Sequence, residues 1–334
     1  MRIIILLAAT LMSVANFATG SRADPVNVRI AWVVPVGNWA TMLYEKKDLM
    51  THYGKTYTVE PTHFQSTPTM IAALSAGELD IADLAYSSFG IAVENAGMTD
   101  LRIIADEAQD GIKGYTSVNY VTEKDGPIKT VDDLKGHVVG TVAPGAALDI
   151  PVRALLRRHG LEDKRDYTMV EVAFPNMLAM MLDRKVDLIP AVNPFALDPR
   201  YQQDTRPLFD VTEAMQGPTQ TIIWTAHKAF LDKNRAAMVD LFEDAVRVTR
   251  FMCDPKNHDE VVQIAAKVAK QPPERIGYAF TGKDAYRSPD MRPNMANLQR
   301  AIDVTQEAGF LKTKLDVQQY SGLDILDEAI KRLK

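Results

Sequence analysis

The chain has 334 residues, of which 46% are hydrophobic and 24% charged, with a formal net charge of −5. That length exceeds one typical domain and suits two α/β units, and the balance excludes a disordered or fibrous chain. An acidic chain without a basic run is a poor nucleic-acid binder, so no nucleic-acid partner is expected.

The first 23 residues differ from the rest. Arg2 supplies a short basic segment, Ile3 to Ala15 is mostly apolar, and Asn16 to Ala23 is rich in small residues. Ser21 and Ala23 precede a cut before Asp24 at the spacing of a secretory signal peptide, expected over residues 1–23. Cys253 is the only cysteine, so no internal disulfide can form and none stands near the cut to accept a lipid. The expectation is a mature protein free in a periplasm, without a lipid anchor. Cys253 itself, late in a helical stretch after Phe251 and Met252, reads as a buried, inert thiol. No later stretch approaches the ~18 apolar residues of a bilayer span.

In chain order, Val28 to Val34 and Tyr57 to Glu60 read as strands. Thr67 reads as an N-cap with Pro68 opening a helix through Met70, Ile71 and Leu74, stopped at Gly77. Asp80 to Ala85 and Leu101 to Ala105 are further strands, flanking a helix that ends near Gly97. Such strand–helix alternation implies a mostly parallel sheet. The pattern restarts with strands at Tyr115 to Thr122, His137 to Val142, Thr168 to Val172 and Val186 to Ala191. Between them, Thr130 and Asp133 form a capping-box-like start, and helices are expected at Ile150 to His159 and Asn176 to Asp183. Thr219 to Ala226 is one more strand. Helices follow at Arg235 to Met252, Asn257 to Ala269, Met291 to Ala308 and Leu323 to Leu333, each with apolar residues at ~3.6 spacing. The expected layout is α/β: a first lobe from 24–114 and 218–334, and a second lobe from 115–217.

Enzyme motifs do not hold up. Gly140 to Gly145 has the outer spacing of a phosphate loop, but Ala146 and Ala147 stand where Lys and Ser/Thr are needed. None of the six histidines pairs with another at metal-ligand spacing, so no metal or other cofactor is expected. Asp80 and Asp83, three apart in a strand, point to opposite faces and make no catalytic pair.

The informative features are loops at strand ends that enter helices, where open α/β sheets bind ligands and helix N-termini favour anions. Ser66-Thr67 and Ser87-Ser88 form two such loops, and Ala143 to Ala146 a third from the other lobe. For any one hydroxyl, capping alone is an alternative explanation. Asn38-Trp39 after the first strand could place an indole in the same cleft. Trp224 within a strand reads as core. Asn193 is a candidate polar contact, Phe195 a candidate wall, and Gln220 sits where the chain re-enters the first lobe. Trp39, Tyr86, Phe89 and Phe195 are the candidate aromatics.

The run Ala73-Leu74-Ser75-Ala76-Gly77-Glu78-Leu79-Asp80-Ile81-Ala82 resembles a signature of periplasmic solute-binding proteins of ABC importers, of the nitrate/sulfonate/taurine (NMT1-like) type. These include relatives named for thiamine-pyrimidine synthesis. Val131 to Gly140, with Asp133-Leu134-Lys135-Gly136, resembles the opening of their second lobe, and Val186 to Ala191 with Asn193-Pro194-Phe195 resembles a later segment. The resemblance runs from about Val28 to the C-terminus. It implies a two-lobed type II periplasmic binding protein fold, each lobe a mixed sheet flanked by helices, closing on its ligand about a hinge. Carried over, the contacts would be Asn38, Trp39, Ser66, Thr67, Ser87, Ser88, Gly145, Ala146 and Asn193. Two departures, Ala146 where many members carry serine and the lack of a tryptophan near Pro194, point away from a sulfonate or taurine-like ligand.

The expected function is therefore capture of a small organic solute, an anion with an apolar or aromatic body, by a monomer that delivers it to an ABC permease and its ATPase. A sensor presenting ligand to a membrane receptor would use the same closed form. An alternative is an exported or intracellular enzyme on the same fold, related to thiamine-pyrimidine synthesis. Those relatives resemble a cysteine-rich version, whereas this chain has one cysteine.

Overall fold

The computed structural model describes residues 24–334. The signal-peptide expectation for residues 1–23 lies outside the described residues. The first strands and helices are β1 (Val26–Trp32), α1 (Trp39–Met42), β2 (Tyr57–His63), α2 (Thr67–Ser75), β3 (Ala82–Ala85), α3 (Tyr86–Glu94) and β4 (Leu101–Asp110). Then come β5 (Asn119–Glu123), β6 (Val138–Thr141), α4 (Asp149–Arg158), β7 (Thr168–Glu171), α5 (Met177–Leu182), β8 (Ile189–Ala191), β9 (Thr205–Asp210) and β10 (Thr219–His227). Long helices at Arg235–Cys253, His258–Ala269, Met295–Glu307 and Asp324–Arg332 complete the chain.

Two mixed strand systems result. In the first, β1 pairs β2 in parallel, a parallel Ile30–Ile81 bridge links β1 to the approach of β3, and β10 runs antiparallel between β3 and β4. In the second, β6 pairs β7 in parallel, a Val139–Leu188 bridge links β6 to the approach of β8, and β5 runs antiparallel between β8 and β9. This corrects the expectation of a mostly parallel sheet. Local strand–helix alternation sets the direction of successive strands. It carries no signal for a later or earlier strand inserted antiparallel between them, and in each system that inserted strand adjoins a crossing between the two.

Local chemistry explains the element ends. Ser66, extended at φ −160°, takes the cap position of α2, so Thr67 is its first helical residue, and Gly77 at φ +69° lets the chain turn away. The strand expected from Tyr115 begins only at Asn119, because Tyr115 N–H donates to the Ile112 carbonyl in a turn. The helix expected from Met291 begins at Met295, after Pro293 and the Asn294 cap whose side chain accepts from Asn297 N–H.

The two crossings lie side by side. Asp110 at the end of β4 accepts from Ser117 Oγ at 2.5 Å and Val118 N–H at 2.9 Å, and Thr212 N–H donates to Ser117 Oγ at 3.2 Å. Behind the first system, Trp39, Trp224 and Phe242 are fully buried in one apolar cluster with the helices Arg235–Cys253 and Asp324–Arg332. Burying each such side chain contributes about 1.5–3 kcal/mol. A second cluster joins α2, α3 and the helix Met295–Glu307 to α4 and Tyr120, so apolar packing runs from one strand system into the other. Among the described residues, no helix is long and apolar enough to cross a membrane.

Candidate functional site

A cavity of about 340 Å³ opens between the two strand systems. The loop after β1 contributes Val33, Val34 and Asn38, the start of α2 Ser66 and Thr67, and β3 Asp83. The crossing before β5 adds Ser117, Val118 and Asn119, and the loop after β6 adds Ala146, Ala147 and Leu148. Phe174, Val192 and Asn193 close the far wall, and Asp284 and Arg287 come from the irregular segment before the helix Met295–Glu307. The walls are mainly apolar with a few polar groups between them.

Of the residues singled out in the sequence, Asn38, Ser66, Thr67, Ala146 and Asn193 line this cavity, and Trp39, Ser87, Ser88, Gly145 and Gln220 do not. Each of the latter has other partners. Trp39 turns into the core, with its ring 5.6 Å from Phe280. Ser87 Oγ donates to the Gly145 carbonyl at 2.7 Å, and Ser88 Oγ bonds Thr67 Oγ1 at 2.8 Å. Gly145, at φ +75°, passes so close to α3 that a Cβ there would lie 2.7 Å from Ile91 Cδ1. Gln220 donates to Asp106 at 2.6 Å and accepts from Asn294 N–H at 2.7 Å. These side chains fasten the loops that shape the cavity.

The expected aromatic lining also changes. Tyr86 is buried with its hydroxyl on the Ala147 carbonyl at 2.9 Å, and Phe89 packs against Tyr320. Phe195 stacks behind Phe174 at 6.0 Å, so Phe174 is the ring that faces the cavity.

Asn38 lines the wall with its polar atoms engaged. Its Oδ1 accepts from Val33 and Val34 N–H, and its Nδ2 donates to Glu107 Oε2 at 2.8 Å. Glu107 also accepts from Trp39 N–H at 2.6 Å and Trp224 Nε1 at 3.1 Å. Asp83 is fully buried beside it, and among the described residues neither Asp83 oxygen has a hydrogen-bond partner. Burial, and then the Glu107 charge, raise the Asp83 carboxyl well above the usual range. Burial raises Glu107 too, opposed by its three donors.

Arg287 is the buried cation of the site. Its guanidinium bonds Asp284 at 2.8 Å and the Gly37 carbonyl at 3.3 Å, and lies over Phe280 and Trp39. Its buried Nε has no hydrogen-bond partner among the described residues. Burial pushes the Cys253 thiol up to about 12, which suits an inert thiol outside the cavity wall.

Asp83, Glu107, Phe174 and Arg287 were not legible as site residues. A charged residue inside the wholly buried run Ala82–Ala85 is the one signal that could have flagged Asp83. His52, Asp240 and Glu243 bring three potential metal donors together away from the cavity, a grouping the sequence spacing does not reveal. Glu243 is paired to Arg247 at 2.7 Å and Asp240 to Arg332 at 3.0 Å, so the group is an ion-pair network.

Comparison with known proteins agrees with this architecture. The model of the NMT1-like family matches residues 21–266. A protein of Escherichia coli (strain K12) named as an aliphatic sulfonates-binding protein is 25% identical over 327 residues, covering 96% of both chains. The crystal structure of the periplasmic aliphatic sulphonate binding protein from Escherichia coli superposes with a TM-score of 0.66 at 19% identity, covering 91% of this chain and 99% of that one. A desulfurization enzyme shares the fold at a TM-score of 0.65 and 14% identity, over 92% of this chain and 100% of its own. The fold is thus that of type II periplasmic binding proteins, and it hosts both binders and an enzyme.

Proposed function

We propose, on the premise that the chain belongs to the NMT1-like family, that it is the solute-binding component of an ABC importer. It captures a small organic solute in the cavity and delivers it to a membrane permease and its ATPase. The observation that carries this reading is the cavity itself: about 340 Å³, walled from both strand systems, mostly apolar, with buried polar groups still lacking partners. Small-molecule sites are built in this way.

The solute we propose is an organic anion with an apolar or ring-shaped body. Phe174 and the Val and Ala side chains would hold the body. The positive charge of Arg287 at the wall and the first-turn N–H groups of the nine-residue helix α2 would attract the charged end. Ala146 and Asn193, at the positions where the chain departs from the family pattern, favour a carboxylate over the sulfonate that the Escherichia coli relative's name indicates.

We place residues 24–114 and 218–334 in one lobe and 115–217 in the other, with closure about the paired crossings. The mature protein would be a periplasmic monomer, exported by residues 1–23 and free of a lipid anchor. The test is mass spectrometry of solute co-purified from a periplasmic extract, followed by a thermal-shift screen of carboxylates and sulfonates. A true ligand at 100 times its Kd stabilises by about 2.7 kcal/mol. A screen in which only cationic or neutral compounds stabilise the protein would sink the anion assignment.

A further inference from the structure

We infer that the solute cavity has a second compartment behind Phe174, and that the Phe174 ring is the partition that limits how long a solute body the protein accepts. The inference rests on the solute-binding reading and adds a length limit to it.

The second cavity holds about 450 Å³. Pro35 in the loop after β1 and Ala269 at the end of the helix His258–Ala269 line it on one side, and Leu178 in α5 and Phe195 and Tyr201 after β8 on the other. Leu178 and Tyr201 are buried, whereas Arg200 and Arg275 are exposed, so the inner part suits an apolar body.

The two cavities share a wall. Val34 lines the first and Pro35 the second, Asn193 the first and Pro194 the second, Ala196 the first and Leu197 the second. Such alternation between chain neighbours means that these loops run between the cavities. Among the described residues, Phe174 alone borders both. The loops are tied by their own backbone, Ala196 N–H to the Val192 carbonyl at 2.8 Å and Leu197 N–H to the Pro194 carbonyl at 3.1 Å. The remaining part of the wall is an aromatic ring, which makes no hydrogen bond. It is held in place because Pro175 restricts the Phe174 backbone, and Asn176 N–H closes the turn on the Ala173 carbonyl at 2.8 Å. Phe195 stacks on it from the second cavity, with planes 15° apart. A solute body that grows toward α5 therefore meets a seated ring, and removing that ring joins the cavities without breaking a backbone bond.

Calorimetric titration of the full chain tests this with straight-chain carboxylates from butanoate to decanoate and with benzoates carrying 4-alkyl groups from methyl to hexyl. Each further buried methylene raises affinity about fourfold. In the parent, affinity should climb along at least one series and then level off or fall. In Phe174→Ala the climb should continue for about two more carbons, so the longest member gains about tenfold or more over the parent. Phe174→Leu, which keeps an apolar contact with Phe195, should extend the climb by fewer carbons and decides if Phe174→Ala does not fold. A climb through every member of both series in the parent, or levelling at the same length in parent and variants, would overturn the inference while leaving solute capture standing. Failure of both series to bind although a solute co-purifies would overturn it too, because the compartment would then take no such body. If nothing binds and nothing co-purifies, the capture reading itself fails and takes the inference with it.

Discussion

Ser87 Oγ donates to the Gly145 carbonyl at 2.7 Å, tying the entry of α3 to the loop after β6. Both partners looked like ligand contacts in sequence, and both are used in fastening one strand system to the other. Ser87→Ala leaves a buried carbonyl with only the longer contact from Ser88 Oγ at 3.3 Å. It should lower stability by about 1 kcal/mol in urea titrations. Because Ser87 does not line the cavity, solute affinity should change by less than about threefold, less than the loss of a direct hydrogen bond. A larger loss of affinity without a loss of stability would return Ser87 to the site.

The contrast between Ser87 and Ser66 shows what was legible. Strand runs, the start of α2 at Ser66-Thr67-Pro68 and the helix Arg235–Cys253 follow from periodicity and capping, which are local. The positions of helix-entry loops follow from the same signals, and they led to five cavity residues. Which hydroxyl faces solute and which faces protein depends on long-range pairing. Ser66 lines the cavity from the cap position of α2, while Ser87, in the first turn of α3, meets Gly145 across the molecule. The three-residue spacing from Asp80 gives Asp83 no partner on its own strand, and Asp80 is indeed bonded elsewhere, to Arg29 at 2.7 Å. The charge that acts on Asp83 comes from Glu107 on β4, which the insertion of β10 between β3 and β4 sets beside it, and that insertion left no mark on the local pattern. Arg287 stands in an irregular stretch with no period to read.

Arg287 holds together the segment that closes one side of the cavity. Its side chain is 3% exposed and its ion pair with Asp284 is buried. Replacing it with methionine would keep apolar contact with Trp39 and Phe280 but leave Asp284 unpaired. Removing one partner of a buried pair costs about 3 kcal/mol or more, so Arg287→Met should show a loss of that order in urea titrations. Asp284 still accepts from Phe280 and Ala285 N–H, so the variant should fold. A loss under about 1 kcal/mol would mean that the pair behaves like a solvent-exposed one.

Stability should fall as pH rises from about 4 to about 7, the interval between ordinary and raised carboxyl values. Burial pushes Asp106 and Asp110 each up to about 6 from an ordinary 3.8, and Asp83 moves in the same direction. A carboxyl raised in the folded state binds a proton there that the unfolded chain has already released. Its stabilising contribution is complete below the unfolded value and is lost as pH rises through the folded one. A rise from 3.8 to about 6 is worth about 3 kcal/mol for each group, so Asp106 and Asp110 together should lose on the order of 6 kcal/mol, the hydrogen bonds from Gln220, Ser288 and Ser117 being what holds the two values down to about 6. Urea titrations at several pH values across this interval measure it directly, and stability that rises over the interval would contradict the assignment.

Ala146 offers the cleanest separation of binding from folding. It is 3% exposed to solvent yet lines the cavity, so its methyl group faces space that solute would fill. The neighbouring Gly145 cannot be enlarged, because its φ of +75° and its approach to Ile91 both forbid a side chain. Ala146→Leu instead extends into the void, with apolar neighbours in Ala147 and Leu148. Filling an empty apolar cavity should leave the stability of the unliganded protein within about 1 kcal/mol of the parent. The same carbons take the place of part of the solute, so affinity should fall by about tenfold or more, the effect of displacing roughly two buried methylene contacts. Calorimetric titration of the parent and variant with one co-purified solute provides the comparison. Unchanged affinity would mean that the solute sits away from this wall, toward the crossings at Ser117 and Asn119.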